Sequence, residues 1–329
     1  MAKREKLLQS SAAKAARQVA ERQTASWARV RRRLRQRGDS DALHDFRVAL
    51  RRLRSTLRAF RPFLISPKGL RRRLRRLSRA TNESRNLEIW QAWVAKHAGK
   101  LTERQQQGVR WLRTRLRTQR QRSEARMHAQ IAKWFPRLRR ELAALRAAAR
   151  PTPAKPVRAT AAVHRVVLTG SSVLQRQLGQ VHSMRDRQAA HAARIAAKRL
   201  RYLLEPFAAE LRGAATIVKQ LEQLQYSLGE VHDAHVFADA LRDALAEVSE
   251  QRARLINQKL LPWPGAGRSS GRAPPPGARS GLLTLARRLR KDGEVRFAAL
   301  RKEWLDPSKR EFWTGLRRLG GKLNRGGRI

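Results

Sequence analysis

The segment His44-Asp45-Phe46-Arg47-Val48-Ala49-Leu50-Arg51-Arg52-Leu53-Arg54 returns 147 residues later, at His191-Ala192-Ala193-Arg194-Ile195-Ala196-Ala197-Lys198-Arg199-Leu200-Arg201. The histidine, the second leucine (Leu53 and Leu200) and every basic position are kept, with Lys198 standing for Arg51. A second pair keeps the same offset: LSRATNESRNLEIW at Leu77–Trp90 and LQYSLGEVHDAHVF at Leu224–Phe237, which aligns Glu83 with Glu230 and Asn86 with Asp233. One unbroken offset across two motifs marks an internal duplication, and a repeated unit decides the architecture before any single motif is read.

The repeated segment reads as a helix. Asp39, Ser40 and Asp41 supply N-cap oxygens, Pro62 ends the run, and the spacing predicts a helix from about Asp41 to Phe60. Leu43, Phe46, Leu50, Leu53, Leu57 and Phe60 alternate by three and four, which makes one apolar stripe. His44, Arg47, Arg51, Arg54, Arg58 and Arg61 follow the same alternation one residue on, a cationic stripe about 100° around the helix. In the second copy Ala190, Ala193, Ala197, Leu200, Leu204 and Phe207 form the core stripe, while His191, Arg194, Lys198 and Arg201 line up beside it until Glu205 breaks the row.

Like charges at i, i+4 cost an isolated helix a few tenths of a kcal/mol per pair, so aligned rows need a reason. A single basic stripe in an arginine-rich chain is as well read as a solvated face; duplication at a fixed offset favours a ligand. Stations about 5–6 Å apart over about 25 Å suit a linear phosphate polymer. Two such rows brought together across a pseudo-twofold would make a cationic channel.

The composition agrees. The chain of 329 residues has 75 Lys plus Arg against 25 Asp plus Glu, a formal net charge of +50. Self-repulsion of that size calls for a polyanion partner. Arginine dominates the basic residues, and its guanidinium fork matches phosphate oxygens two at a time. Hydrophobic residues make up 41 % of the chain, enough for a core. With no cysteine, disulfides, thiolate metal sites and cysteine nucleophiles are excluded. No secretory h-region and no run of 18 apolar residues is present, so no membrane insertion is expected and a cytoplasmic protein is.

The helical pattern breaks at Pro62–Gly69, Pro151–Pro156 and Leu261–Gly281. An all-α fold is predicted: a first helical-bundle repeat over 1–150, a linker at 151–156, and a second repeat over 157–329 with a disordered insertion at about 262–281. Outside the rows, Arg72 is the one member of the Arg71–Arg79 set with a basic counterpart, Lys219, which makes these two the secondary candidates. Arg110, Arg113, Arg117 and Arg120 read as surface. Glu83, Glu230 and Asp233 read as partners that orient arginines. His44 and His191 head rows of cations, so each imidazole should lose its proton readily until an anion arrives. No second His or carboxylate stands at i+3 or i+4 from either, which argues against a metal site; no cofactor is expected.

The pattern H-x-x-R-[VI]-A-x-[RK]-R-L-R at His44 and again at His191 resembles the signature of the CHAD family, the conserved histidine α-helical domain. LGEVHDAHVF at Leu228–Phe237 is similar to that family's Leu-Gly-x-x-x-Asp segment, and Trp304 with Phe312-Trp313 resembles family C-termini. The resemblance implies two four-helix bundles related by a pseudo-twofold around a basic pore that binds inorganic polyphosphate without catalysis. It carries the binding role to His44, Arg47, Arg51, Arg52, Arg54, His191, Arg194, Lys198, Arg199 and Arg201, to which the rows add Arg58. Asn82 and Asn86 stand where the family has Gly and Asp, a departure that bears on ion pairing near α-helical residue 82 and not on the fold. Localisation to polyphosphate granules is the corresponding expectation.

Two other classes compete. A nucleic-acid binder shares the charge, but aromatics make up only 5 % and those in the motifs fall on the apolar stripe, where no base can stack; weak nonspecific binding is expected, as is the alternative of a storage-granule scaffold. A phosphoryl-transfer enzyme needs grouped carboxylates or a Walker loop, and neither is found near the histidines.

Overall fold

The computed structural model describes residues 6–34, 41–147, 157–260, 274–306 and 310–325. Nine α-helices run through them: α1 Ala12–Arg33, α2 Ala42–Ala59, α3 Leu70–His97, α4 Glu103–Ala147, α5 Ala159–Leu178, α6 Arg187–Leu204, α7 Ala214–Leu260, α8 Ala278–Leu300 and α9 Arg310–Asn324. No strand occurs among the described residues, which hold one isolated antiparallel bridge between Ser11 and Arg158.

The duplication is visible in the helix boundaries. α1 begins at Ala12 and α5 at Ala159, the same 147-residue offset, and α2 and α6 carry the two His/Arg motifs. In α2 the apolar stripe is buried at Phe46, Leu50, Leu53, Leu57 and on to Phe60, with Leu43 partly buried. In α6 the whole predicted stripe is buried, from Ala190 through Ala193, Ala197, Leu200 and Leu204 to Phe207. Each large side chain so buried contributes roughly 1.5–3 kcal/mol. Pro62 lies in the 3₁₀ turn Arg61–Phe63 that follows α2. Gly69, at φ 82, then takes the left-handed turn into α3 that a residue with a Cβ would resist. The Asp39–Ser40 cap and the 151–156 linker lie outside the described residues, and Asp41 makes no side-chain cap hydrogen bond.

Two compact units are present. The first takes the described parts of 1–82, 126–229 and 298–329, the second those of 83–125 and 230–297. Each unit therefore draws on both halves of the chain, a different division from that of the repeat. In the first unit α1 packs on α2, α5 on α6, α5 also on α9, and α2 meets α6. The Ala12 N–H donates to the Val157 carbonyl at 2.8 Å, and the Ala159 N–H donates to the Ser10 carbonyl at 3.0 Å. Moving every residue of the first bond by the repeat offset, with the copies exchanged, gives the second. Phe60 likewise meets its own counterpart Phe207, ring centroids 6.1 Å apart.

The second unit is built from the C-terminal part of α3, the N-terminal part of α4, the C-terminal part of α7, and α8. Its core holds Leu87, Val94, Val109, Leu112, Leu116, Phe237, Leu241, Leu282 and Leu285. Trp90 stacks on its counterpart Phe237 at 5.4 Å. Arg296 bridges Asp292 at 3.0 Å and Glu230 at 3.4 Å, so Glu230 does orient an arginine.

One boundary differs from expectation. The Pro/Gly-rich stretch was expected to run unstructured to Gly281, but α8 starts at Ala278, which is fully buried. The reason is close packing: a Cβ on Gly108 of α4 would stand 2.6 Å from the Ala278 carbonyl oxygen and 2.9 Å from the Gly281 Cα. Glycines that look like loop residues are here the surfaces on which two backbones touch. Residues 262–273 lie outside the described residues.

Gly108→Ala should therefore lower the stability measured by urea unfolding, by about 1–3 kcal/mol of overpacking. Gly229→Ala in α7, where a Cβ meets nothing within 4 Å, should raise it by about 0.5–1 kcal/mol through helix propensity. Equal effects of the two substitutions in equilibrium unfolding would refute the close-contact account.

Candidate functional site

The cationic faces of α2 and α6, together with the first turns of α3, come together in the first unit. Lys198 of α6 is held to about 7, first by burial and then by Arg194, by Arg51 and Arg54 of α2, and by Arg199. Arg54 is held below the usual guanidinium range by burial and by Arg75, Arg199, Arg58 and Arg79. Arg199 is lowered by burial and by Arg58. Three helices thus place cations on one another. Two unit charges about 5 Å apart at an effective dielectric of 20 repel by on the order of 3 kcal/mol, repulsion that a nearby anion would offset.

His191, at the head of the α6 row, loses proton affinity through burial and through Arg194 and Lys198. That is the behaviour the sequence predicts for an imidazole leading a row of cations. His44, its counterpart on α2, is exposed. Arg47 donates to the Asn82 side-chain oxygen at 3.2 Å, so the departure at Asn82 is used as a neutral acceptor. The Arg51 Nε donates to the Arg47 carbonyl at 3.2 Å.

Two of the expected binding residues have carboxylate partners within the chain. Arg52 donates to Glu205 at 2.7 Å; although burial disfavours its charge, the Glu205 carboxylate holds it above the usual range. Arg201 is 6 % exposed and bonds Glu205 at 3.0 Å and Glu222 at 2.9 Å, with its guanidinium 4.8 Å from the Tyr202 ring. Both guanidiniums are already neutralised by this chain's own carboxylates. Arg54 and Arg199, by contrast, have no carboxylate partner among the described residues, and nor do Arg51, Arg58 and Lys198.

On α3, Arg72 and on α7, Lys219 are exposed. The α3 cations that bear on Arg54 are instead Arg75 and Arg79, both exposed, while Arg73 turns inward to Glu141 at 2.9 Å. The signal for Arg75 and Arg79 was present as three- and four-residue spacing from Arg72. It was lost by requiring a basic counterpart in the other copy, where Glu222 and Tyr226 stand. Among the described residues no group of three His, Cys, Asp or Glu side chains is placed to hold a metal ion. No helix among them is long and apolar enough to cross a membrane. What the arrangement offers is dense positive charge carrying several N–H donors, the chemistry of a receptor for a multiply charged oxyanion.

The family model described as the CHAD domain matches residues 18–242. Among solved structures, the CHAD domain from the plant Ricinus communis aligns at 21 % identity and a TM-score of 0.62, over 91 % of this chain and 94 % of that one. PptA from Streptomyces chartreusis aligns at 18 % identity and a TM-score of 0.63, over 90 % of this chain and all of the other. At such identities these likenesses establish a shared fold. No curated protein matches the chain.

The partly buried ammonium of Lys198 has a measurable signature without added ligand. The folded-state value of Lys198 lies below its unfolded value, so the unfolded chain binds more protons between about pH 7 and 10.5, and stability rises with pH across that window. Below it the full cost of charging Lys198 is felt. Lys198→Met should therefore raise the unfolding midpoint at pH 6, and the gain over wild type should shrink steadily toward pH 10. A gain independent of pH would mean that Lys198 is not held near neutrality.

Proposed function

Because the chain belongs to the CHAD family, we propose that it is a non-catalytic binder of inorganic polyphosphate, held on the cations that α2, α3 and α6 bring together. The observation that carries this reading is the convergence of both copies on one group: Lys198 from the second copy stands with Arg51 and Arg54 from the first. Spread over a free surface, such cations would drift apart. Here the buried stripes behind them hold them in register, and each guanidinium can grip phosphate oxygens while released counterions add affinity.

A pseudo-twofold between the copies belongs to the same reading, supported by the reciprocal bonds about Ser11 and Arg158 and by the Phe60–Phe207 and Trp90–Phe237 contacts. Under that symmetry α2 and α6 would be the two walls of a basic pore. Residence on polyphosphate granules follows as a further proposal.

The test is a competition titration in near-physiological salt. Labelled long-chain polyphosphate should bind the wild type, resist duplex DNA and RNA, and lose at least about a hundredfold in affinity to Arg51→Ala/Arg54→Ala/Lys198→Ala/Arg199→Ala, since a charged hydrogen bond is worth about 1.5–3 kcal/mol. Equal displacement by RNA, with the variant unaffected, would reduce the group to generic positive charge. Anion binding should also return protons to Lys198 and His191. Affinity should therefore rise as pH falls from 8 to 6, and calorimetry at pH 7 in buffers of different ionisation enthalpy should report proton uptake that Lys198→Met diminishes.

A further inference from the structure

The two copies treat one set of equivalent positions in opposite ways. Arg201 of α6 is enclosed by Glu205 at 3.0 Å and Glu222 at 2.9 Å. Moved back by the 147-residue offset, these three positions are Arg54, Arg58 and Arg75. In the first copy both carboxylates have thus become arginines, and these are two of the cations that bear on Arg54. Arg54 is only partly buried where its counterpart Arg201 is 6 % exposed, and Arg58 is exposed where its counterpart Glu205 is partly buried, so the arginine is closed in by carboxylates in one copy and more open among cations in the other.

The pairing of Arg52 sharpens the contrast. Arg52 is the counterpart of Arg199, yet Arg52 crosses to Glu205 while Arg199 stands with Arg58 and Arg54. Glu205 therefore neutralises one arginine from each copy, and everything it neutralises is withdrawn from the open group. Two carboxylates around a buried guanidinium reproduce what two neighbouring phosphates of a chain would supply: negative oxygens at about 2.9–3.0 Å from its N–H donors.

Resting on the polyphosphate reading above, we infer that Arg54, Arg58 and Arg75, joined by Arg199, form a single phosphate-gripping subsite, and that Glu205 and Glu222 are built-in anions filling the equivalent subsite of the second copy. The ligand class is a short run of a linear polyphosphate. One chain then takes one such run, entered from the first-copy side. The shared seat at Glu205 makes the receptor lopsided although its scaffold is duplicated.

The probe is tripolyphosphate, titrated calorimetrically into the full-length chain after long-chain polyphosphate binding has been established. The wild type should take one equivalent. Arg58→Glu/Arg75→Glu, which gives Arg54 the partners that Arg201 has, should weaken binding at least fiftyfold while leaving the unfolding midpoint unchanged or higher. Arg71→Glu/Arg76→Glu makes the same charge change at exposed positions of the same helix and should weaken it less than fivefold. Arg58→Gln/Arg75→Gln provides the affinity comparison without introducing acids, and should fall below the control as well. Two equivalents in the wild type, or a loss no larger than the control's, would overturn the inference and leave polyphosphate binding itself standing; absence of any binding to long-chain polyphosphate would remove the reading beneath it.

Discussion

The constraint on which this structure turns is repulsion between cations that the fold does not allow to separate. Lys198 and Arg54 are each partly buried beside several guanidiniums, and the repulsion favours turning those helices apart. They cannot turn, because the opposite faces of α2 and α6 are committed to the core through Phe46, Leu50, Leu53 and Leu57 on one and Ala193, Ala197, Leu200 and Leu204 on the other. Burial of the large members of these stripes at roughly 1.5–3 kcal/mol apiece outweighs the pairwise repulsion, so the charge stays concentrated. The alanines of α6 matter for a second reason: small side chains on the core stripe let neighbouring helices approach closely.

Such an arrangement links ligand affinity to stability. An anion that binds the folded group and not the unfolded chain stabilises the fold by mass action, and part of what it contributes is relief of repulsion already present. Repulsion within the group subtracts from the stability that the core supplies. The cations of the fold accordingly differ in kind: some, such as Arg73 with Glu141, are matched inside the chain, and others, such as Arg54, stand among further cations.

The part of this legible in the sequence was the part governed by periodicity. The stripes of α2 and α6, the break at Pro62 and the all-helical class all follow from where apolar residues recur, and the family resemblance rests on the same motifs. The facing of individual cations was not legible. Arg52 and Arg54 lie two residues apart on one helix, about 200° around it, and both sit in the motif; only the position of Glu205 on a distant segment decides that Arg52 is paired inside the chain and Arg54 is not. In the second copy the outcome reverses, with Arg201 paired and Arg199 open. The start of α8 escaped for a related reason. A sequence rich in Gly and Ala is compatible with a loop and with a helix that must touch another backbone, and composition does not tell Gly281 against Gly108 from a flexible turn.

Duplication is usually read for what two copies keep, a rule that selects Arg72 and Lys219, both exposed. The informative positions are those where the copies disagree while the scaffold stays the same. An arginine facing a glutamate at its equivalent position, as Arg58 does with Glu205 and Arg75 with Glu222, reports that one copy satisfies internally a demand the other leaves open. A duplicated receptor with both subsites open would hold two clusters of like charge, each adding repulsion to the same fold. Filling one with carboxylates removes half of that cost and costs only the second subsite. On the inference drawn above, the asymmetry is a compromise between binding and folding: Arg54 is left among cations where a ligand would be gripped, while Arg201 is matched by carboxylates of the chain itself.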